Sequence, residues 1–130
     1  MGKTFIKIAA VYFGVGVSLG LMMGILHNFS LTSVHAHINL LGWVSMALFG
    51  LIYHVYPKAA QTRIAKLHFW LYNIAFPMMQ VAIALQITIP TVPVFLPVTI
   101  VSSMAVVISV LLFGWNLFRQ LTDTSAPRAR

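Results

Sequence analysis

Four apolar stretches, each long enough to cross a bilayer, leave this chain almost nowhere to fold except in a membrane. They run from about Phe5 to His27, Val34 to Tyr56, Leu67 to Ile89 and Val94 to Leu117, and Lys7 is the only charged residue inside any of them. A hydrocarbon core of ~30 Å takes about 20 apolar residues in a helix, and a helix satisfies its backbone polar groups without water. Hydrophobic residues make up 60% of the sequence and charged residues 7%, which is far from the balance of a soluble domain. The formal charge of +7 raises nucleic acid as a partner, but such binders carry their cations in dense stripes on a polar face. Here the cations are confined to short connections and ends, so nucleic acid is excluded. The absence of cysteine excludes disulfides, thiolate metal sites and thiol chemistry.

The connections are short. Asn28 to Ser33 is small and polar, Pro57 to Lys66 is basic, and Pro90 to Pro93 is a proline-bounded turn. Short loops between long helices imply antiparallel neighbours, so the expected fold is an all-α membrane protein, an up-down bundle of four transmembrane helices. Residues 1–121 form one domain in this reading and 122–130 a flexible basic tail. A signal-peptide reading of the start, with Lys3 and Lys7 as its basic region and Val34-His35-Ala36 as a faint cleavage site, fails because the apolar core is too long. Lys3 and Lys7 stand at the start of span one, Lys58, Arg63 and Lys66 join spans two and three, and Arg119, Arg128 and Arg130 follow span four. All these cations fall on one side, and the positive-inside rule places both termini in the cytoplasm of a bacterial-type inner membrane.

Within the second span the polar residues gather at its outer end, in His35-Ala36-His37-Ile38-Asn39-Leu40-Leu41-Gly42-Trp43. Residues two apart on a helix diverge by ~200°, so His35 and His37 are expected to face opposite sides. They are poorly placed to grip one small ion together and well placed to serve two centres. Neutral imidazole is a common axial donor to haem iron; interfacial histidines bonded to headgroups, water or helix-end carbonyls are the alternative.

The segment His37-x-Asn39-x-Leu41-x-Trp43, followed by Gly50, Tyr53, Tyr56 and Pro57, resembles the second transmembrane helix of haem-copper oxidase catalytic subunits, most of all the nitric oxide reductase and cbb3-type branches. His68-Phe69-Trp70 with Asn73 resembles the start of the helix that follows it. The resemblance covers spans two and three, about half the chain. It implies a low-spin b-type haem near the outer face, with His35, His37, Asn39 and Trp43 as the cofactor-binding set. It also implies an architecture: the family's catalytic subunit has twelve core helices in a pseudo-threefold arrangement, and a homotrimer of four-span chains has the same number. Each haem would then be held by His35 of one copy and His37 of the next, for electron transfer or for binding of oxygen or nitric oxide. Nothing in the chain matches the family's copper-site histidines or its cross-linked tyrosine. The spans hold no Asp or Glu, and the outer face lacks the arginines that pair with haem propionates. Asn28, Ser30, Thr32, Ser33 and Asn39 are the donors left for propionates, weaker than charged ones. No complete oxidase or reductase active site is present, and no residue is assigned a catalytic role.

The remaining candidates divide between chemistry and packing. His27 with His35 or His37 is a possible copper or zinc site, since imidazole suits both metals. A histidine-based metal binder that aids membrane-protein assembly, or a bundle with no cofactor, are the competing functions. His54 lies ~25 Å of helix rise beyond His37, too far to share a centre, and with His68 it is expected to anchor the inner interface. Gly16, Gly20 and Gly24 form a stripe that lets helices approach closely, and Gly42 and Gly50 extend the idea to span two. Pro77 is expected to kink span three. Asn73, Gln80 and Gln86 give that span a polar stripe suited to interhelical hydrogen bonds.

Overall fold

A computed structural model describes residues 1–121; the tail assigned to 122–130 lies outside the described residues. The chain is helical and free of strands among the described residues, and four of its helices are long and apolar enough to cross a membrane: α1 (Gly2–Leu26), α2 (Thr32–Val55), α4 (Arg63–Thr88) and α5 (Phe95–Gln120). A single turn, α3 (Pro57–Ala60), joins α2 to α4.

Several bounds differ from the sequence expectation, and at two helix ends capping is the reason. Helix α4 starts at Arg63 and not Leu67, because Thr62 is its N-cap and its hydroxyl accepts from the Ala65 N–H at 3.0 Å. Helix α1 closes at His27, whose φ of 50° is left-handed, and the Asn28 N–H returns to the Met23 carbonyl at 3.1 Å. Such a residue after the last turn takes up orphan carbonyls, a place usually held by glycine. The following turn is tied by Ser30 N–H to Asn28 Oδ1 at 3.1 Å and by the Thr32 hydroxyl to the Phe29 carbonyl at 2.6 Å. Pro77 does not interrupt α4, which runs continuously through it.

Helix α2 holds a feature with no counterpart in the sequence expectation. From Ile38 to Ser45 its backbone widens into a π-helix, a form that is rare and concentrated at functional sites. Two carbonyls in the widened turns are taken up by hydroxyls: Ser45 donates to the Leu40 oxygen at 2.8 Å, and Tyr72 of α4 donates to the Leu41 oxygen at 3.1 Å. Tyr72→Phe removes the second of these, with an expected loss of about 1 kcal/mol of stability measurable by denaturant titration in detergent.

The bundle is two antiparallel hairpins, α1–α2 and α4–α5, and these pairs share the most extensive contacts. Glycines bring α1 and α2 together. A Cβ on Gly2 or on Gly50 would meet the other's carbonyl oxygen at 2.7 Å, and one on Gly42 would meet the Tyr12 ring at 2.9 Å. Of the stripe read on α1, Gly16 and Gly20 face α2, but Gly24 has open space beside it, so the third member of the stripe is not at this contact. Between the hairpins, bulky rings do the bridging. Phe5, Phe49, Tyr72 and Phe113 pack against His68 with centroids 4.7 to 5.8 Å away.

These contacts place the start of α1, the end of α2 and the start of α4 at one end of the molecule. The end of α5 joins them through Asn116, which donates to the Ala59 carbonyl at 2.8 Å and accepts from the Thr62 hydroxyl at 2.7 Å. Lys3, Lys7, Lys58, Arg63, Lys66 and Arg119 are exposed at this end; the opposite end carries His27, His35 and His37.

Candidate functional site

His35 and His37 stand in the first two turns of α2, just before the π-helical stretch, and both are half-buried. Their surroundings differ in the way the ~200° divergence predicts. His35 turns toward α1, where its Nδ1 lies 3.0 Å from the Gly16 carbonyl oxygen. His37 stays on its own helix, with Nδ1 2.7 Å from the Ser33 carbonyl oxygen. A carbonyl only accepts, so each Nδ1 carries a proton, and in the neutral ring Nε2 then carries the lone pair. A ligating imidazole is usually arranged this way, its other nitrogen donating to a backbone carbonyl that fixes both tautomer and ring orientation.

The glycines of α1 make room for this face of α2. A Cβ at Gly20 would lie 2.7 Å from His35 Cε1, and one at Gly16 would lie 2.7 Å from Asn39 Nδ2. Asn39 in turn donates to the His35 carbonyl at 2.9 Å, which occupies its amide one turn below the histidine. Trp43 packs on Phe13 of α1, with ring centroids 4.7 Å apart. His35, Asn39 and Trp43 therefore form one row against α1, at the four-residue spacing that puts side chains on one helix face. His37 lies off that row.

His27 bonds weakly to the Ile25 carbonyl, 3.3 Å from its Nδ1. Among the described residues no group of three or more metal-ligating side chains is assembled.

His68 corrects a sequence expectation. It was placed with His54 at the inner interface, but it is fully buried in the aromatic cluster between the hairpins, while His54 is exposed. Its Nδ1 donates to the Ser109 carbonyl at 2.9 Å and the Ser109 hydroxyl donates back to the His68 carbonyl at 3.0 Å. Its Nε2 is sealed from solvent with no hydrogen-bond partner. His68 thus has the same tautomer as His35 and His37 but no access for a large cofactor. Access separates the candidate ligands from the structural histidine.

Sequence reasoning missed Ser109, Asn116 and Thr62, which hold the other end of the bundle. A signal for two of them was present: Ser102, Ser109 and Asn116 recur every seven residues, and all three are buried. Of the polar stripe on α4, Gln86 reaches across to α5, accepting from the Thr99 hydroxyl at 3.3 Å. Asn73 donates to Phe69 in its own helix at 2.7 Å, and both polar atoms of Gln80 are buried without a partner. The interhelical bonding read for that stripe therefore holds for one residue of three.

Compared with protein-family models, with curated proteins and with solved structures, the chain matches none.

Proposed function

We propose that this chain is a multi-pass membrane protein that holds b-type haem through His35 and His37, for electron transfer or for binding of a diatomic gas such as oxygen or nitric oxide. The observation that carries the reading is the pair of Nδ1–H groups anchored on the Gly16 and Ser33 carbonyls, which leaves two accessible helix-borne imidazoles with free Nε2 lone pairs. The donor set fits haem: two imidazoles, an amide at Asn39 that orders the helix around them, and an indole at Trp43. Bound haem would supply one-electron exchange if both axial positions were filled, and a gas-binding position if one were open. The resemblance of the His37 to Pro57 and His68 to Asn73 segments to haem-copper oxidase subunits points the same way.

Histidines turned to opposite sides of one helix do not meet at one iron, so the shared arrangement needs a second copy. His35 of one subunit and His37 of the next, repeated around a homotrimer, would make three equivalent sites in twelve spans. The cationic end faces the cytoplasm in this proposal, with both termini inside, by the positive-inside bias of its short segments.

The test is an absorption spectrum of detergent-purified protein, oxidised and then reduced with dithionite, with haem and metals quantified per chain. Sharp reduced α and β bands at about one haem per chain are expected, and His35→Ala and His37→Ala are each expected to abolish them. His37→Ala is the cleaner variant, because His37 makes no hydrogen bond to another helix. Protein made with ample haem that shows no Soret band overturns the proposal, and bound copper or zinc would then favour the metal-binding alternative. A strict monomer that still binds haem overturns the shared site alone.

A further inference from the structure

The α4–α5 hairpin carries an outward groove of about 520 Å³, lined by residues that include Leu71, Ile74 and Met78 of α4 and Val98, Val101 and Ala105 of α5. Each of its walls continues toward the cationic end of the molecule. On α4, Lys66, Trp70, Ile74 and Met78 are four residues apart and share one ridge. On α5, Val101, Ile108 and Trp115 recur every seven residues and Arg119 follows one turn later. The two tryptophans are 64% and 61% exposed, so neither belongs to the core. At the rim the Thr62–Asn116 hydrogen bond of 2.7 Å holds the two helix ends together, one residue before Arg63 on α4 and three before Arg119 on α5.

We propose that this hairpin binds an anionic phospholipid, with its phosphate among Arg63, Lys66 and Arg119, its glycerol region between Trp70 and Trp115, and an acyl chain in the groove. Charge complementarity selects the headgroup: among the described residues this rim carries Arg63, Lys66 and Arg119 and no carboxylate. Clusters of Lys and Arg beside the ends of membrane helices recognise anionic lipid in this way. The groove is within reach of the rim: its α4 wall begins at Leu71, about 8 Å of helix rise beyond Lys66, inside the ~15 Å of one leaflet. Positive-inside bias explains the cations and an aromatic belt explains the tryptophans, each taken singly. Neither explains why both ridges lead from one groove.

The test uses the full chain, stripped of lipid in detergent, with thermal unfolding followed on addition of phosphatidylglycerol or of phosphatidylcholine with the same acyl chains. Phosphatidylglycerol is expected to raise the Tm by about 4 °C or more, as a ligand that binds only the folded state does, and phosphatidylcholine to raise it by less than half as much. The combined variant Arg63→Gln, Lys66→Gln, Arg119→Gln is expected to lose most of the difference, although it keeps Arg128 and Arg130. Val101→Trp, which fills the groove and leaves every cation in place, is expected to reduce the retention of phosphatidylglycerol measured by native mass spectrometry. Equal stabilisation by the two lipids, an undiminished response in the triple variant, or a second copy of the chain covering the groove in place of lipid each overturns the proposal.

Discussion

Asn116→Leu is expected to lower stability by about 2 kcal/mol. The amide is fully buried and ties three elements at once, donating to the Ala59 carbonyl of α3 at 2.8 Å and accepting from the Thr62 hydroxyl at 2.7 Å at the start of α4. Leucine has about the right volume but removes both bonds, leaving the Thr62 hydroxyl and the Ala59 oxygen only their longer bond to each other at 3.3 Å; each hydrogen bond lost costs about 1 kcal/mol. Ser102→Ala is the control, because the Ser102 hydroxyl bonds only to carbonyls of its own helix, at 2.6 and 3.2 Å. That variant should change stability by under about 0.5 kcal/mol. Denaturant-induced unfolding in detergent compares the two; equal losses would show that Asn116 does not hold the junction.

Gly50→Ala is expected to cost about 1–3 kcal/mol through overpacking. The added methyl would meet the Gly2 carbonyl oxygen at 2.7 Å and the Ile6 backbone nitrogen at 3.0 Å, besides the Ile6 side chain at 2.6 Å. The side chain has rotamers to move into, but the backbone atoms belong to α1 itself, so relief requires the two helices to separate. The same substitution at Gly14 or Gly114 has no atom within 4 Å to meet, and there alanine should gain up to about 1 kcal/mol of helix propensity. Opposite signs at Gly50 and Gly114 in thermal unfolding are the expected outcome. A neutral Gly50→Ala would mean that α1 and α2 are not packed backbone to backbone at that level.

The part of the fold legible in the sequence is the part governed by the solvent. Four charge-poor stretches, short polar connections and cations at alternate ends are each enough to define spans and their up-down order, because hydrocarbon tolerates no unpaired backbone and few charges. The opposite facing of His35 and His37 was equally legible, since it follows from helix geometry alone. Helix starts were less so: Thr62 outweighs the apolar run at Leu67 because a cap satisfies orphan N–H groups whatever the hydropathy.

What only the tertiary structure decided is which polar groups find one another. His54 and His68 are alike as letters near the same end, yet one is exposed and the other is enclosed by rings from three other helices and its own. Gly20 and Gly24 are equivalent members of a sequence stripe, yet a Cβ on one strikes His35 and on the other meets nothing. In the π-helical turns of Ile38–Ser45 the Leu41 carbonyl is taken by Tyr72, 31 residues later in the chain. By itself the sequence determined that the chain spans a membrane and that two imidazoles leave one helix in opposite directions, because both follow from local geometry and solvent. The tertiary structure decided which imidazole is sealed, which glycine is indispensable and which amide locks the bundle's end, because those depend on contacts between residues far apart in the chain.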